Sequence, residues 1–185
     1  MDKRFATPSS PFTHCGASTQ RIMLDVIIAL LPATVAAIVI FGTKALVPIL
    51  SCVIAAVLSE FLFNVITHRK QSIGDLSAVV TGLLLGLNLS TNVPVWQCVL
   101  GSVFAIVFVK CLFGGLGHNF ANPAITARVF LLVSFAQVAG GAMPKGVDLV
   151  TSATPLEVLK TGGEGLPSLL DMFLGVRGGA VGETC

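Results

Sequence analysis

Gly114-Gly115-Leu116-Gly117-His118-Asn119-Phe120-Ala121-Asn122-Pro123-Ala124 separates two apolar runs and decides how they are arranged. The glycines allow close backbone approach, Asn122 is a favoured N-cap, and Pro123 suits the first helical position, where its missing N–H costs nothing. The helix that opens at Pro123 is expected to reach Ala139 and stop at Gly140-Gly141. At about 1.5 Å per residue it would be about 25 Å long, short of a bilayer core of about 30 Å. A span that starts from a buried or re-entrant loop has that length. Arg128 lies more than a turn inside it, where an arginine faces protein, ligand or water rather than lipid.

The chain on either side is equally apolar. Its 185 residues are 54% hydrophobic and 11% charged, with a mean hydropathy of +0.91. A soluble domain carries about 25% charged residues, so the fold class is an all-α integral membrane protein. Four spans are expected before the loop: Ile22–Phe41, Leu46–Thr67, Leu76–Leu89 and Pro94–Phe113. In the first, Asp25 lies near the entry and Pro32 is expected to kink the helix. His68-Arg69-Lys70 ends the second. Glu60 is its deepest acidic residue, a helix-packing residue on the preferred reading and an ion-path residue on the other. The third is short, with Gly82-x-x-x-Gly86 on one face, a spacing that lets two helix backbones meet. Asn88 near its far end is expected to bond a neighbouring helix. In the fourth, Trp96 sits at an interface position and Lys110 is expected to snorkel to water.

The net charge of +2, with no basic run or aromatic–basic interleaving, gives no sign of a nucleic-acid partner. The five cysteines lack CxxC spacing and read as small hydrophobes rather than metal ligands. No catalytic acid or base stands out. Residues 1–21 read as an irregular polar segment, not a signal peptide, because the first apolar run begins only near Ile22 and is long enough to span. Lys3, Arg4, Arg21, Arg69, Lys70, Lys110 and Arg128 fall on one side of the five spans, and Lys44, Lys145, Lys160 and Arg177 on the other. The positive-inside rule then puts the N-terminus in the cytoplasm. Three segments follow: 1–21 cytoplasmic, 22–141 a five-helix half-bundle, and 142–185 an extracytoplasmic tail.

The tail holds Asp148-Leu149-Val150-Thr151-Ser152-Ala153-Thr154-Pro155-Leu156. Thr154 and Glu157 form a Thr-x-x-Glu capping box with Pro155 at the first helical position. By itself this is a capped surface helix running to about Lys160. A second short helical candidate is Pro167–Leu174.

Several motifs in order carry a resemblance. They are Ser10-Pro11, Ser18-Thr19, Ile22-Met23 and Ala29-Leu30-Leu31-Pro32-Ala33, then Asp75-x-Ser77-Ala78-Val79-Val80-Thr81-Gly82-Leu83-Leu84-Leu85, then Gly114-Gly115-Leu116-Gly117-x-Asn119-x-x-Asn122-Pro123-Ala124. Together they resemble RnfD, a membrane component of the Rnf ion-translocating ferredoxin:NAD oxidoreductase complex. Its close relative is NqrB of the sodium-pumping NADH:quinone oxidoreductase. The short N-terminal segment favours the first. Asp148-x-x-Thr151-Ser152-Ala153-Thr154 resembles the flavinylation motif of that family, with Ser152 in place of the usual glycine. Ala121 stands where a bulkier residue often precedes Asn-Pro.

The resemblance implies two inverted five-helix halves, similar to urea transporters, so the chain is expected to be a truncated subunit holding the first half. It implies FMN joined to Thr154 through a phosphoester by a flavin transferase that recognises Asp148, Thr151, Ser152 and Ala153. A phosphate there would meet a helix N-terminus, which favours negative charge. It also implies riboflavin within the bundle near the inner side, with Asn119, Asn122 and Arg128 as candidates; otherwise these residues serve as caps and loop bonds. The implied role is one electron step between ferredoxin and NAD, coupled to sodium or proton export across the bacterial inner membrane. The other Rnf subunits would hold the ferredoxin, NAD and iron–sulfur sites, and lipid would surround the bundle. Two readings compete. Asn122-Pro123-Ala124 resembles the half-helix motif of aquaporins, which suggests a channel or transporter, although aquaporins use two copies. A purely structural membrane subunit is the other.

Overall fold

The computed structural model describes residues 18–69, 71–135, 159–160, 170, 173 and 180–182, and all regular structure among them is helical. The helices are α1 (Thr19–Phe41), α2 (Leu46–Ile66), α3 (Ser77–Asn88), α4 (Val95–Val103) and α5 (Pro123–Ser134). α4 continues without a break into a π-helical stretch, Phe104–Cys111. The first four helices coincide with the expected apolar runs to within a few residues. The fifth is described as far as Phe135, and its expected end near Ala139 lies outside the described residues, as do Lys70 and most of the tail. α1 begins earlier than expected, at Thr19, because Ser18 caps it and accepts a bond from the Arg21 N–H at 3.3 Å. The end of the segment 1–21 is therefore helical. α1 runs on through Pro32 to Phe41.

α1 and α2 are joined by one tight 3₁₀ turn, Gly42–Ala45, and Thr19–Ile66 is long and apolar enough to cross a membrane. Ser77–Asn88, Val95–Cys111 and Pro123–Ser134 are shorter apolar helices. The two faces of α2 show which solvent it was built for. Large side chains at helical spacing, Val47, Leu50, Ile54, Leu58 and Leu62, are exposed, while Cys52, Ala55, Ala56 and Ser59 are buried. An apolar outer face with small residues inside suits a lipid surround, where helices associate by close packing rather than by the hydrophobic effect.

The closest packing is between α2 and α3. A Cβ on Gly82 would lie 2.7 Å from Val53 Cα, and one on Gly86 would lie 2.7 Å from Ile49 Cα. Backbone thus meets backbone at both ends of the Gly-x-x-x-Gly face, and the pairing of 82 with 53 and 86 with 49 makes the helices antiparallel. Asn88 bonds across helices as expected, its Oδ1 accepting from Arg128 Nη1 of α5 at 2.9 Å.

The alternation of the helices gives the bundle two distinct ends. At one, Phe41, Ala45, Leu87 and Val181 form a cluster. The Val181 and Gly182 N–H groups there bond to the Leu89 and Leu87 carbonyls at 3.1 and 2.7 Å, satisfying acceptors at the end of α3. At the other lie Ser77, Lys110, Asn122 and the start of α1.

Replacing Gly82 or Gly86 by valine should force α2 and α3 apart. Overpacking of a tight core costs about 1–3 kcal/mol, and with backbone on both sides the cost should lie at the upper end. The expected outcome is a lowered unfolding temperature in detergent for both variants. Gly74→Ala, where an added Cβ meets nothing within 4 Å, should unfold like the parent.

Candidate functional site

The second end of the bundle carries a buried polar cluster. Ile49, Cys52, Ala56, Glu60 and Asn64 follow one buried face of α2, so Glu60 points inward with nothing of it exposed. Its partner is Lys110, also buried, whose Nζ lies 2.8 Å from Glu60 Oε1. This overturns the expectation that Lys110 snorkels to water. The buried positions Cys98, Gly101, Ser102 and Ala105 would continue in an α-helix at 108–109 and 112. Phe108 and Leu112 are instead exposed, while Val109, Lys110 and Cys111 are buried. The π-helical turn bonds each N–H to the fifth carbonyl back, as Leu112 N to Val107 O at 3.0 Å. That wider turn rotates Lys110 onto the inner face.

The pair belongs to a longer hydrogen-bonded chain. Lys110 Nζ also donates to Ser77 Oγ at 2.5 Å, and Ser77 donates from Oγ and N to Asp75 Oδ1 at 2.5 and 2.8 Å. Ser72 Oγ donates to Glu60 Oε1 at 2.6 Å and accepts from Asn64 Nδ2 at 3.0 Å. Glu60 Oε2 has no partner among the described residues. Between Asp75 and Ser77 stands Leu76, with φ +61°, in the left-handed region that a leucine adopts at a cost. That strained residue turns the chain sharply enough for Asp75 to cap the start of α3. Arg69 closes the site from outside, its Nη1 bonding the Cys111 carbonyl at 3.0 Å.

Beside this cluster is a cavity of about 250 Å³. Ser77, Thr81 and Lys110 line it on one side, Asn119, Asn122 and Pro123 on another, with Met23, Val80, Leu84 and Leu116 supplying apolar wall. Two of the three residues considered for riboflavin, Asn119 and Asn122, are thus brought to one cavity. The third, Arg128, is not in its wall and reaches Asn88 instead. Asn122 Oδ1 caps α5, accepting from Ala124 N at 3.0 Å. Asn119 Oδ1 is buried and has no hydrogen-bond partner among the described residues. Asp148, Thr151, Ser152, Ala153 and Thr154 lie outside the described residues. Cys52, Cys98 and Cys111 are buried and free, as small hydrophobes would be.

Small apolar walls with a few convergent polar groups are the make-up of a ligand site. The Ser77 and Thr81 hydroxyls already donate to Asp75 Oδ1 and the Ser77 carbonyl, so the two primary amides beside the apolar slot are the groups left to meet a flat heterocycle with donors and acceptors along its edge. The unpartnered Asn119 Oδ1 is the group that such an edge would satisfy.

Across residues 6–185 the chain matches the NQR2, RnfD, RnfE family, and it belongs to that family of membrane proteins. It is 48% identical over 179 residues to the D component of the Na(+)-translocating ferredoxin:NAD(+) oxidoreductase complex of Acetobacterium woodii, covering 95% of this chain and 56% of that protein. It is 40% identical over 195 residues to the D component of the proton-translocating ferredoxin:NAD(+) oxidoreductase complex of Clostridium ljungdahlii, covering 97% and 58%. The D component of the ion-translocating oxidoreductase complex of Cronobacter sakazakii is 37% identical, with coverage of 85% and 55%. The chain spans somewhat over half the length of these relatives.

Removing one member of the buried pair strands the other. Lys110→Met alone should cost about 3–5 kcal/mol, read as a lower unfolding temperature in detergent. Lys110→Met with Glu60→Gln leaves no uncompensated charge and should recover most of that loss.

Proposed function

We propose that this chain is an electron-carrying subunit of an ion-translocating ferredoxin:NAD oxidoreductase in a bacterial inner membrane, with FMN on Thr154 and riboflavin in the cavity at Asn119 and Asn122. The observation that carries the reading is the extent of the family match, which runs through residue 185 and so includes Asp148–Thr154. The names of the relatives supply the reaction class and the partner subunits.

The geometry supports a division between two ends. The start of α1, the cavity and the Glu60–Lys110 cluster share one end, and on this reading the five helices would be one half of an inverted repeat. Residues 180–182 dock at the opposite end, which suits a tail on the far side from the cavity. With the N-terminus in the cytoplasm, Thr154 is extracytoplasmic, reached by a flavin transferase acting outside. A flavin in either place supplies a carrier that takes up electrons singly or in pairs. The protein would hold the ring edge with Asn119 and Asn122 and its flat face with Leu84 and Leu116, while Arg128, tied to Asn88, keeps α5 against α3. The moved ion, sodium or proton, is left to the assembled complex.

Thr154→Ala should abolish the UV-fluorescent band in denaturing gels and the FMN mass increment on the tail peptide; FMN retained at Thr151 would overturn the assignment. Asn119→Leu and Asn122→Leu in the complete complex should lower extracted riboflavin and leave FMN on Thr154. Impermeant thiol labelling should reach a cysteine placed at Lys145 and not one placed at Arg69; the reverse pattern would sink the topology. A flavin-free chain that conducts solutes would favour the Asn122-Pro123-Ala124 channel reading.

A further inference from the structure

Among the described residues, the cavity assigned to riboflavin has one charged residue in its wall. Ser77, Thr81, Asn119 and Asn122 offer neutral polar groups, and Lys110 alone carries charge. Its exposure is 1%, and it is held from two sides by Glu60 Oε1 at 2.8 Å and Ser77 Oγ at 2.5 Å. An ammonium has three N–H donors, so one remains after these two acceptors. Glu60 is not part of the cavity wall. A molecule in the cavity therefore meets the cation first and the carboxylate behind it. Burial keeps water from screening the pair, so it acts across the wall as a dipole with its positive end toward the cavity.

A structural role alone accounts poorly for this pair. A buried ion pair seldom stabilises more than well-packed apolar residues of the same volume. Here one carboxylate oxygen, Glu60 Oε2, is left without a hydrogen bond among the described residues. The strained Leu76 and the π-helical turn are both spent on placing Ser77 and Lys110 together.

We infer that Lys110 sets the reduction potential of the flavin held in this cavity, favouring the ring that has gained negative charge, and that Glu60 is the positioning residue that fixes the ammonium. The inference rests on the riboflavin reading above. One electron from a one-electron donor puts one negative charge on the ring. No bond breaks, Lys110 keeps its proton, and its positive charge lowers the free energy of the charged product. The asparagines hold the ring and the lysine biases its charge.

The test uses the complete complex carrying Thr154→Ala, so that the riboflavin is the flavin of this chain. Riboflavin is first extracted and counted in the parent and in Asn119→Leu. Absence from the parent, or full retention in Asn119→Leu, sinks the cavity reading and the inference with it. The Lys110→Met/Glu60→Gln double variant, which strands no charge, is then titrated with dithionite and followed by its visible spectrum. The expected result is unchanged riboflavin content with the reduction equilibrium shifted about tenfold toward the oxidised ring, about 59 mV for one electron. Lys110→Arg, which keeps the charge, should hold most of the parent potential. An unchanged potential with riboflavin in place overturns the inference. So does loss of riboflavin from the double variant, because the lysine would then hold the ring rather than bias it.

Discussion

The approach of α3 to α2 is the constraint on which the rest of the bundle depends. Gly82 and Gly86 leave no side chain between the two backbones. Without a hydrophobic effect between helices in lipid, that close contact has to supply packing energy through many short van der Waals distances. It also fixes geometry. Once Gly82 lies on Val53 and Gly86 on Ile49, the N-terminal end of α3 lies beside the last turns of α2. Ser77 is then near Glu60, and Lys110 can bond both. Two glycines thus determine whether a polar cluster forms a full helix length away from the bundle's other end.

The polar cluster in turn shows departures from regular geometry where side chains must be aimed. A left-handed leucine and a π-helical run are both unfavourable local choices, and both stand within two residues of a member of the Lys110–Ser77 contact. Such departures persist only where surrounding structure compensates them. Here the compensation is specific: the Asp75 carboxylate caps α3 across the strained turn, and Arg69 bonds the carbonyl exposed at the end of the π run.

What the sequence revealed and what it hid follow from the range of the interactions involved. Hydropathy placed α2, α3 and α4 closely, because a run of apolar residues needs no partner to be recognised. The cap at Asn122 and the glycine face of α3 were legible for the same reason: each is written in residues a few positions apart. Lys110 was not. Its assignment to the water interface rested on its place near the end of the span, and the change of turn width that rotates it inward leaves no mark in residue type. A clue did exist in α2, where Glu60 shares a helical face with Cys52 and Ala56, among small residues rather than on the bulky lipid-facing stripe. Asn119 and Asn122 were grouped by the family resemblance, the loop alone reading as caps and loop bonds, and the contribution of Ser77, 33 positions from Lys110, required the fold. Arg128 was rightly expected to avoid lipid, and its partner Asn88 answers that need from α3. The motif ending in Thr154 lies outside the described residues.

The separation of Glu60 and Lys110 along the chain has a consequence for biogenesis. They stand 50 positions apart, so α2 leaves the ribosome well before the cation that pairs with its carboxylate. α2 is therefore made before the partner that its carboxylate meets in the folded bundle. Completion of the cluster thus requires α2, α3 and the continuation of α4 all in place, since Glu60, Ser77 and Lys110 each come from a different one of them.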